Sequence, residues 1–229
     1  MRRAFPIFAV LTAALLSYAM YEALVAAPTE RTMGDVQRIF YYHVPSAWTA
    51  FLLFFINFVA SVLYLFRRRP MADAIAVVAA EVGVVFCTVV LVTGPLWARP
   101  VWGIWWTWDV RLTSTLVLWL IYVSYLTLRR FSSSGQTPVL AAALAVFGAL
   151  DVPLVYFSIW IFRTQHPQPV IGGGGSIDPR MLRVLLLNWA AFLCFAALVC
   201  WSRYRLERLQ RDVEESQALE AVLESRSSR

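Results

Sequence analysis

Charged residues are scarce in this chain. Only 15% of its 229 residues are charged and 60% are apolar, whereas a soluble domain has about 25% charged and about 45–50% apolar residues. The apolar residues also lie in long runs, which favours burial in a bilayer over a larger water-soluble core. The composition therefore predicts a membrane protein.

Lysine is missing altogether, so arginine alone supplies the positive side of the net charge of +6. The arginines stand in short clusters between the apolar runs. A nucleic-acid-binding protein would gather such charge on one soluble face. The pattern instead indicates membrane-topology signals, and we expect the lipid bilayer as a partner and no nucleic acid.

Cysteine is rare as well. Cys87, Cys194 and Cys200 all lie inside apolar runs, and none of them forms a Cys-x-x-Cys pair. This pattern gives no support to a disulfide framework or a thiol redox site. We interpret the three as small buried apolar residues.

Six apolar runs come close to the roughly 20 residues that a membrane-spanning helix needs. The sequence therefore predicts an all-α, polytopic membrane protein with six transmembrane helices, at about residues 5–26, 47–66, 74–97, 112–128, 139–162 and 181–201. Arginines concentrate at the N-terminus, at 67–69, at 129–130 and after 201. By the positive-inside rule, this side faces the cytoplasm and holds both termini.

The loops on the opposite, outer side differ from the arginine-rich ones. Residues 28–42 have apolar residues at helical spacing, which indicates a short helix along the membrane surface. Residues 163–180 contain Pro167, Pro169 and four consecutive glycines, and Asp178 before Pro179 is typical of a helix start. We expect a membrane domain over 1–203 and a charged, helical cytoplasmic tail over 204–229.

The second outer loop is rich in tryptophan, with five of the ten tryptophans between 97 and 108. An aromatic belt at the membrane interface accounts for one or two at each helix end, but not for this density. A flat macrocycle such as haem needs broad apolar surfaces with a few polar donors, which indole rings supply. The segment of about 97–114 is thus a candidate haem platform, with binding residues Trp102, Gly103, Trp105, Trp106, Trp108 and Asp109.

The chain has only two histidines, His43 and His166, and both fall beside outer loops that flank the tryptophan-rich segment. Imidazole is the usual protein ligand of haem iron, so we predict haem b with both histidines as axial ligands. Arg38 and Arg111 are candidate partners of the haem carboxylates, although solvated interfacial arginines are an equally open interpretation.

Three stretches of this sequence resemble a known family. The run from Trp102 to Ser114 is similar to the tryptophan-rich "WWD" signature of haem-handling membrane proteins in cytochrome c maturation. Residues 41–48 resemble that family's first histidine motif, and 152–158 lead toward the second, at His166. With six spans and two histidines, the chain is most similar to the haem exporter protein C family, CcmC.

This resemblance implies a role and partners. Members bind haem at the periplasmic face of the bacterial inner membrane and load it onto a periplasmic haem chaperone, CcmE. They work beside the CcmA and CcmB transporter subunits and the small membrane protein CcmD. Family ligands carry over to His43 and His166, and the platform carries over to the tryptophans and Asp109.

Two alternatives are weighed against this role. A haem permease would need a conduit, for which Glu81 and Asp151 within the spans are candidates. A b-type haem oxidoreductase that reduces quinone would need about two haems across a core about 30 Å thick, hence about four histidines on both sides. Two histidines on one side argue strongly against it. We identify no nucleophile or acid–base pair and expect no enzymatic activity.

Overall fold

The protein is a bundle of helices, seen here in a computed structural model that describes residues 3–132, 134–162, 164–166 and 177–227. These residues form no strand. The helices are α1 (Ala4–Tyr21, continued by a π-helical turn, Glu22–Ala26), α2 (Phe40–Arg67), α3 (Pro70–Trp102), α4 (Val110–Phe131), α5 (Thr137–Ala149), α6 (Asp151–Ile161) and α7 (Pro179–Ser227).

Six helical stretches are long and apolar enough to cross a membrane, which confirms the predicted number of spans. Helices α5 and α6 together make one of them, over Thr137–Ile161. The helix is interrupted at Leu150, whose N–H bonds to Phe147 O over three residues instead of four. Pro153 lies just beyond the break, and it lacks the N–H that a continuous helix would use.

The tryptophan-rich end of the bundle, called its outer end after the predicted orientation, is where α2 begins and α3 ends, and both lie several residues outside the predicted bounds. Helix α2 begins at Phe40, after a short 3₁₀ helix over Asp35–Ile39, so His43 lies in its first turns. In place of the predicted surface helix, the structure has a short 3₁₀ helix that continues directly into α2. Helix α3 passes through Pro95 and Pro100 to end at Trp102, so part of the tryptophan-rich segment is helical.

Gly103 explains where α3 ends. Its φ of 78° lies in the left-handed region, and its N–H bonds to Arg99 O. Glycine adopts this conformation without the steric cost that a Cβ brings. The helix therefore stops here, and Trp105, Trp106 and Trp108 lie in the segment between α3 and α4.

The core at the middle of the bundle joins α2 to α4 and α5. The ring of Phe54 stacks on Tyr122, with centroids 3.9 Å apart and an interplanar angle of 11°. Gly148 makes room on the other side, because a Cβ there would lie 2.8 Å from Ile121. Close packing of this kind fixes the lateral positions of α2 and α4, which carry site residues at their outer ends.

Ion pairs tie the arginine-rich end of the bundle together. Asp73 on α3 binds Arg129 of α4 through two contacts of 2.7 Å and Arg211 of α7 at 2.8 Å. Eight residues along α3, Glu81 binds Arg203 through two contacts of 2.8 Å. Since both carboxylates and both α7 arginines are eight residues apart, the pairs fix the axial register of α7 against α3.

Helix α7 starts at a capped position, as the sequence predicts. The Asp178 carboxylate accepts a hydrogen bond from the backbone N–H of Arg180 at 2.7 Å. It also forms an ion pair with the Arg180 guanidinium at 3.0 Å. The guanidinium and the backbone N–H hold the pKa of the Asp178 carboxyl below its usual range. The helix then runs without a break to Ser227, so the predicted boundary between membrane domain and tail falls inside one helix.

Candidate functional site

An apolar cavity opens near the outer ends of α2, α3, α4 and α6. It encloses about 1130 Å³ when the solvent-filled space at its open mouth is included. Both histidines line it. It also reaches down to Phe54, eleven residues along α2 from His43, or about 16 Å at 1.5 Å per residue.

His43 is held firmly in the wall of this cavity. Its side chain is buried, with 7% of the residue exposed. The indole of Trp97 meets the imidazole edge to face, with centroids 5.9 Å apart. Gly94 packs close to Cε1 of the imidazole, since a Cβ built on Gly94 would lie 3.5 Å from that atom. These neighbours leave the ring little freedom to rotate.

A hydrogen bond determines which nitrogen of His43 carries the proton. Nδ1 lies 2.8 Å from the hydroxyl oxygen of Thr93, and that hydroxyl also lies 2.6 Å from the carbonyl of Val89. A carbonyl can only accept, so the hydroxyl donates to Val89 and its oxygen accepts from Nδ1–H of His43. The Nε2 atom of His43 is therefore unprotonated, which is the state in which imidazole binds a metal.

His166 lies beside His43 in space, although 123 residues separate them in the sequence. The two ring centroids are 6.5 Å apart and the rings are inclined by 30°. Three outer segments meet here, as the placement of the two histidines predicts: the start of α2, the tryptophan-rich segment and the segment after α6.

Asp109 connects the tryptophan-rich segment to the segment that carries His166. One carboxylate oxygen caps α4 by accepting from Leu112 N–H at 2.9 Å. The other accepts from the Thr107 hydroxyl at 3.0 Å and from the backbone N–H of Gln165 at 3.1 Å. Because Gln165 directly precedes His166, this one carboxylate positions both the start of α4 and the second histidine.

The tryptophans divide into two groups. Trp97, Trp102 and Trp106 line the cavity. Trp105 and Trp108 do not line it, and their exposed fractions are 55% and 77%. Among the four tryptophans of the predicted platform, Trp102 and Trp106 thus line the cavity, whereas Trp105 and Trp108 lie outside its wall.

Two of the cavity-lining tryptophans have a buried indole N–H group without an acceptor. Trp97 Nε1 and Trp106 Nε1 are buried, and neither bonds to any residue that the structure describes. An unsatisfied buried donor is costly, typically about 1–3 kcal/mol. A ligand with polar groups at its edge would satisfy these donors.

The candidate arginines occupy different places. Arg111 lines the cavity and donates to the carbonyl of Val155 at 3.2 Å, so part of its guanidinium remains available to a ligand. Arg38 does not line the cavity. It donates to the carbonyl of Ala23 at 2.8 Å and to Asp35 at 3.0 Å, contacts that fasten α1 to the start of α2.

Sequence patterns alone missed several of these site residues. Thr93 gave no signal, because threonine in an apolar helix commonly bonds to its own backbone. Phe51 and Phe54 look like ordinary core residues of a span, yet both line the cavity. Their helical spacing from His43, with Ala47 and Ala50 between, was the available signal.

The two histidines can hold a metal only if that metal brings further ligands of its own. Within the described ranges, no group of three or more His, Cys, Asp and Glu side chains could hold a bare metal ion. Haem iron carries its macrocycle as ligand and takes its axial ligands from the protein. Two imidazoles beside a large apolar cavity lined by aromatic rings therefore fit haem.

Known proteins are similar to this chain over most of its length. The family model described as "Heme exporter protein C" matches residues 1–219. A heme exporter protein C of Bradyrhizobium diazoefficiens is 35% identical over 96% of this chain and 84% of its own length. That of Haemophilus influenzae is 32% identical over 91% and 86%, and a cytochrome c biosynthesis ccmC-like mitochondrial protein of Marchantia polymorpha is 35% identical over 78% and 76%. The chain thus belongs to the haem exporter protein C family.

Proposed function

We propose that the protein holds haem as its cargo between His43 and His166 and delivers it to a periplasmic haem chaperone, CcmE, during cytochrome c maturation. The observation that carries the proposal is the separation of 6.5 Å between the two imidazole centroids. Family membership supports the general role in haem handling. The ligands, the cargo site and the recipient are the parts that we propose.

The separation suits two imidazoles on opposite faces of one haem. A metal–imidazole bond is about 2 Å long and the ring nitrogen lies about 1 Å from the centroid, so a shared metal puts the centroids roughly 6 Å apart. Both axial positions would then be filled, which leaves none for oxygen chemistry and suits carriage of haem as b-type cargo.

The polar edge of haem would find partners at the outer rim of the cavity. Its carboxylates need cationic or N–H donors. Arg111 and the free indole N–H groups of Trp97 and Trp106 lie in the cavity wall. Arg38 would act indirectly, by holding the start of α2 through Ala23 and Asp35.

Delivery requires that haem be reachable from outside the bundle. We assign this contact to the exposed rings of Trp105 and Trp108, which adjoin the cavity wall in sequence and face away from it. The recipient would be CcmE on the periplasmic side of the bacterial inner membrane. CcmA, CcmB and CcmD are the expected companions in the membrane, by resemblance to the family.

The role is transport, in keeping with a family of haem exporters, and needs no catalytic residue. A permease that carries haem past Glu81 is less favoured, because both oxygens of that carboxylate are bound by Arg203. The observed cavity ends near Phe54, well before that pair.

A transfer assay tests the proposal. Detergent-purified protein loaded with haem is mixed with affinity-tagged soluble CcmE, the two proteins are separated by the tag, and the haem absorbance of each fraction is measured. We expect haem in the chaperone fraction with the wild type and none with the His43→Ala/His166→Ala double variant. Failure of the wild type to bind haem would refute the whole proposal, and retention of haem without transfer would refute the delivery step.

A further inference from the structure

A second apolar groove lies at the opposite, arginine-rich end of the bundle. It runs between the lipid-facing sides of α2 and α3, and we call it the α2–α3 groove. Its walls include Phe55, Val59 and Leu63 of α2 and Met71 and Ile75 of α3. Each of these residues is exposed on the surface of the bundle. The groove encloses about 810 Å³ including its open side.

Two arginines close one end of this groove. Arg67 is the last residue of α2, and Arg69 directly precedes α3. Both line the groove and are exposed. In the part of the chain that the structure describes, neither guanidinium has a hydrogen-bond or ion-pair partner. Arg68 between them is different, since it does not line the groove and its guanidinium lies 5.7 Å from the Tyr64 ring centroid.

We propose that the α2–α3 groove binds one anionic phospholipid, with its acyl chains along the apolar walls and its phosphate on Arg67 and Arg69. Guanidinium groups bind phosphate oxygens in a forked geometry. Basic pockets between spanning helices are known to select acidic headgroups in this way. The residues of this groove play no part in the proposed haem site.

The length of the groove fits a lipid of one leaflet. From Phe55 to Arg67 is twelve residues, or about 18 Å at 1.5 Å per residue. One leaflet occupies half of a hydrocarbon core about 30 Å thick. The acyl chains would therefore extend to about the depth of Phe55 while the phosphate stays at the level of the arginines.

A partner helix fits the same groove less well. A spanning helix needs about 20 residues and crosses both leaflets, whereas this groove covers only one. It also ends in two positive charges, where a protein partner would have to present a carboxylate at that depth. Each phospholipid of the leaflet, in contrast, carries a phosphate at that depth.

The site would support the haem end of the bundle from a distance. Helices α2 and α3 are joined by the arginine turn at one end and by the bond from His43 to Thr93 at the other. A lipid bridging α2 and α3 would stiffen this hairpin. The inference does not depend on haem binding, because lipid retention is measured on its own.

Native mass spectrometry of the full-length protein tests the site. The protein is released from nanodiscs made either of phosphatidylglycerol or of phosphatidylcholine, and bound lipid is counted. We expect one phosphatidylglycerol retained at least about tenfold more often than phosphatidylcholine. The Arg67→Gln/Arg69→Gln variant should lose this preference, whereas Arg68→Gln, a control from the same turn, should keep it.

A third variant tests the groove itself. Val59→Trp adds bulk to an exposed wall position and leaves both arginines in place, so it should reduce lipid retention without loss of folding. Equal retention of the two lipids, or equal behaviour of the Arg67→Gln/Arg69→Gln and Arg68→Gln variants, would mean that only unselective boundary lipid is present and would overturn the proposal. Retained lipid in a well-folded Val59→Trp variant would overturn its location in the groove.

Discussion

The Nδ1–H group of His43 donates a hydrogen bond to the hydroxyl oxygen of Thr93, 2.8 Å away on the neighbouring helix. The Thr93 hydroxyl is itself committed to the carbonyl of Val89 at 2.6 Å. The pair therefore fixes both the tautomer and the ring orientation of His43. Nε2 is left as the atom that can bind iron.

The first prediction concerns Thr93. Thr93→Val removes the acceptor of the His43 proton and should weaken haem affinity about 10–100-fold, the usual cost of losing the partner of a metal-binding histidine. Haem titration followed by absorption measures it. Thr93→Ser keeps the hydroxyl and should stay near wild type, and an equal loss in the serine variant would show that the methyl group, not the hydrogen bond, matters.

The second prediction separates the two oxygens of Asp109. Asp109→Asn can still cap α4 with its single oxygen but cannot also accept from Gln165 N–H. It should keep the wild-type melting temperature and lose haem affinity. Asp109→Ala loses the cap as well, which costs about 1 kcal/mol of stability. Thermal melts and haem titrations of both variants provide the measurement, and unchanged haem binding in both would argue against positioning of His166 by Asp109.

The third prediction separates the two tryptophan groups. Trp102→Ala and Trp106→Ala remove cavity wall and should lower the haem content of the purified protein. Trp105→Ala and Trp108→Ala remove exposed rings and should retain haem while slowing its transfer to CcmE. Haem content per protein and the transfer assay give the two readouts. Equal haem loss from all four variants would mean that the segment acts as a single surface.

The fourth prediction concerns stability at the arginine-rich end. The side chains of Asp73 and Arg129 are only 5% and 14% exposed, and removal of one partner from a buried pair costs about 3–5 kcal/mol. Asp73→Asn leaves the buried Arg129 guanidinium without a carboxylate and should therefore lower the melting temperature markedly. Glu81→Gln is the matched comparison, because the pair of Glu81 with Arg203 is 31% exposed on each side and about 1 kcal/mol is expected. A larger effect at Glu81 would contradict this ranking.

The sequence predicted the helices better than it predicted the site surfaces. Apolar runs mark the six spans because a bilayer demands about 20 apolar residues from each. The composition could not show that α3 would continue through Pro95 and Pro100 to Trp102, since packing against α2 outweighs the local cost of proline. The orientation in the membrane and the boundary of the tail stay predictions.

The site was predictable only as a set of residue types. His43 and His166 stood out because they are the only histidines, but their separation of 6.5 Å depends on how α2 begins and how α6 ends. The density of tryptophan indicated an aromatic site without showing that Trp105 and Trp108 face outward. That division depends on the left-handed turn at Gly103.

The most direct test of the account is the absorption spectrum of haem-loaded protein with each histidine removed singly. Wild type should give a six-coordinate, low-spin spectrum. His43→Ala and His166→Ala should each become high-spin with weaker haem retention, and added imidazole should restore the low-spin spectrum. If both single variants keep the wild-type low-spin spectrum, then His43 and His166 do not hold the iron, and the central claim is wrong.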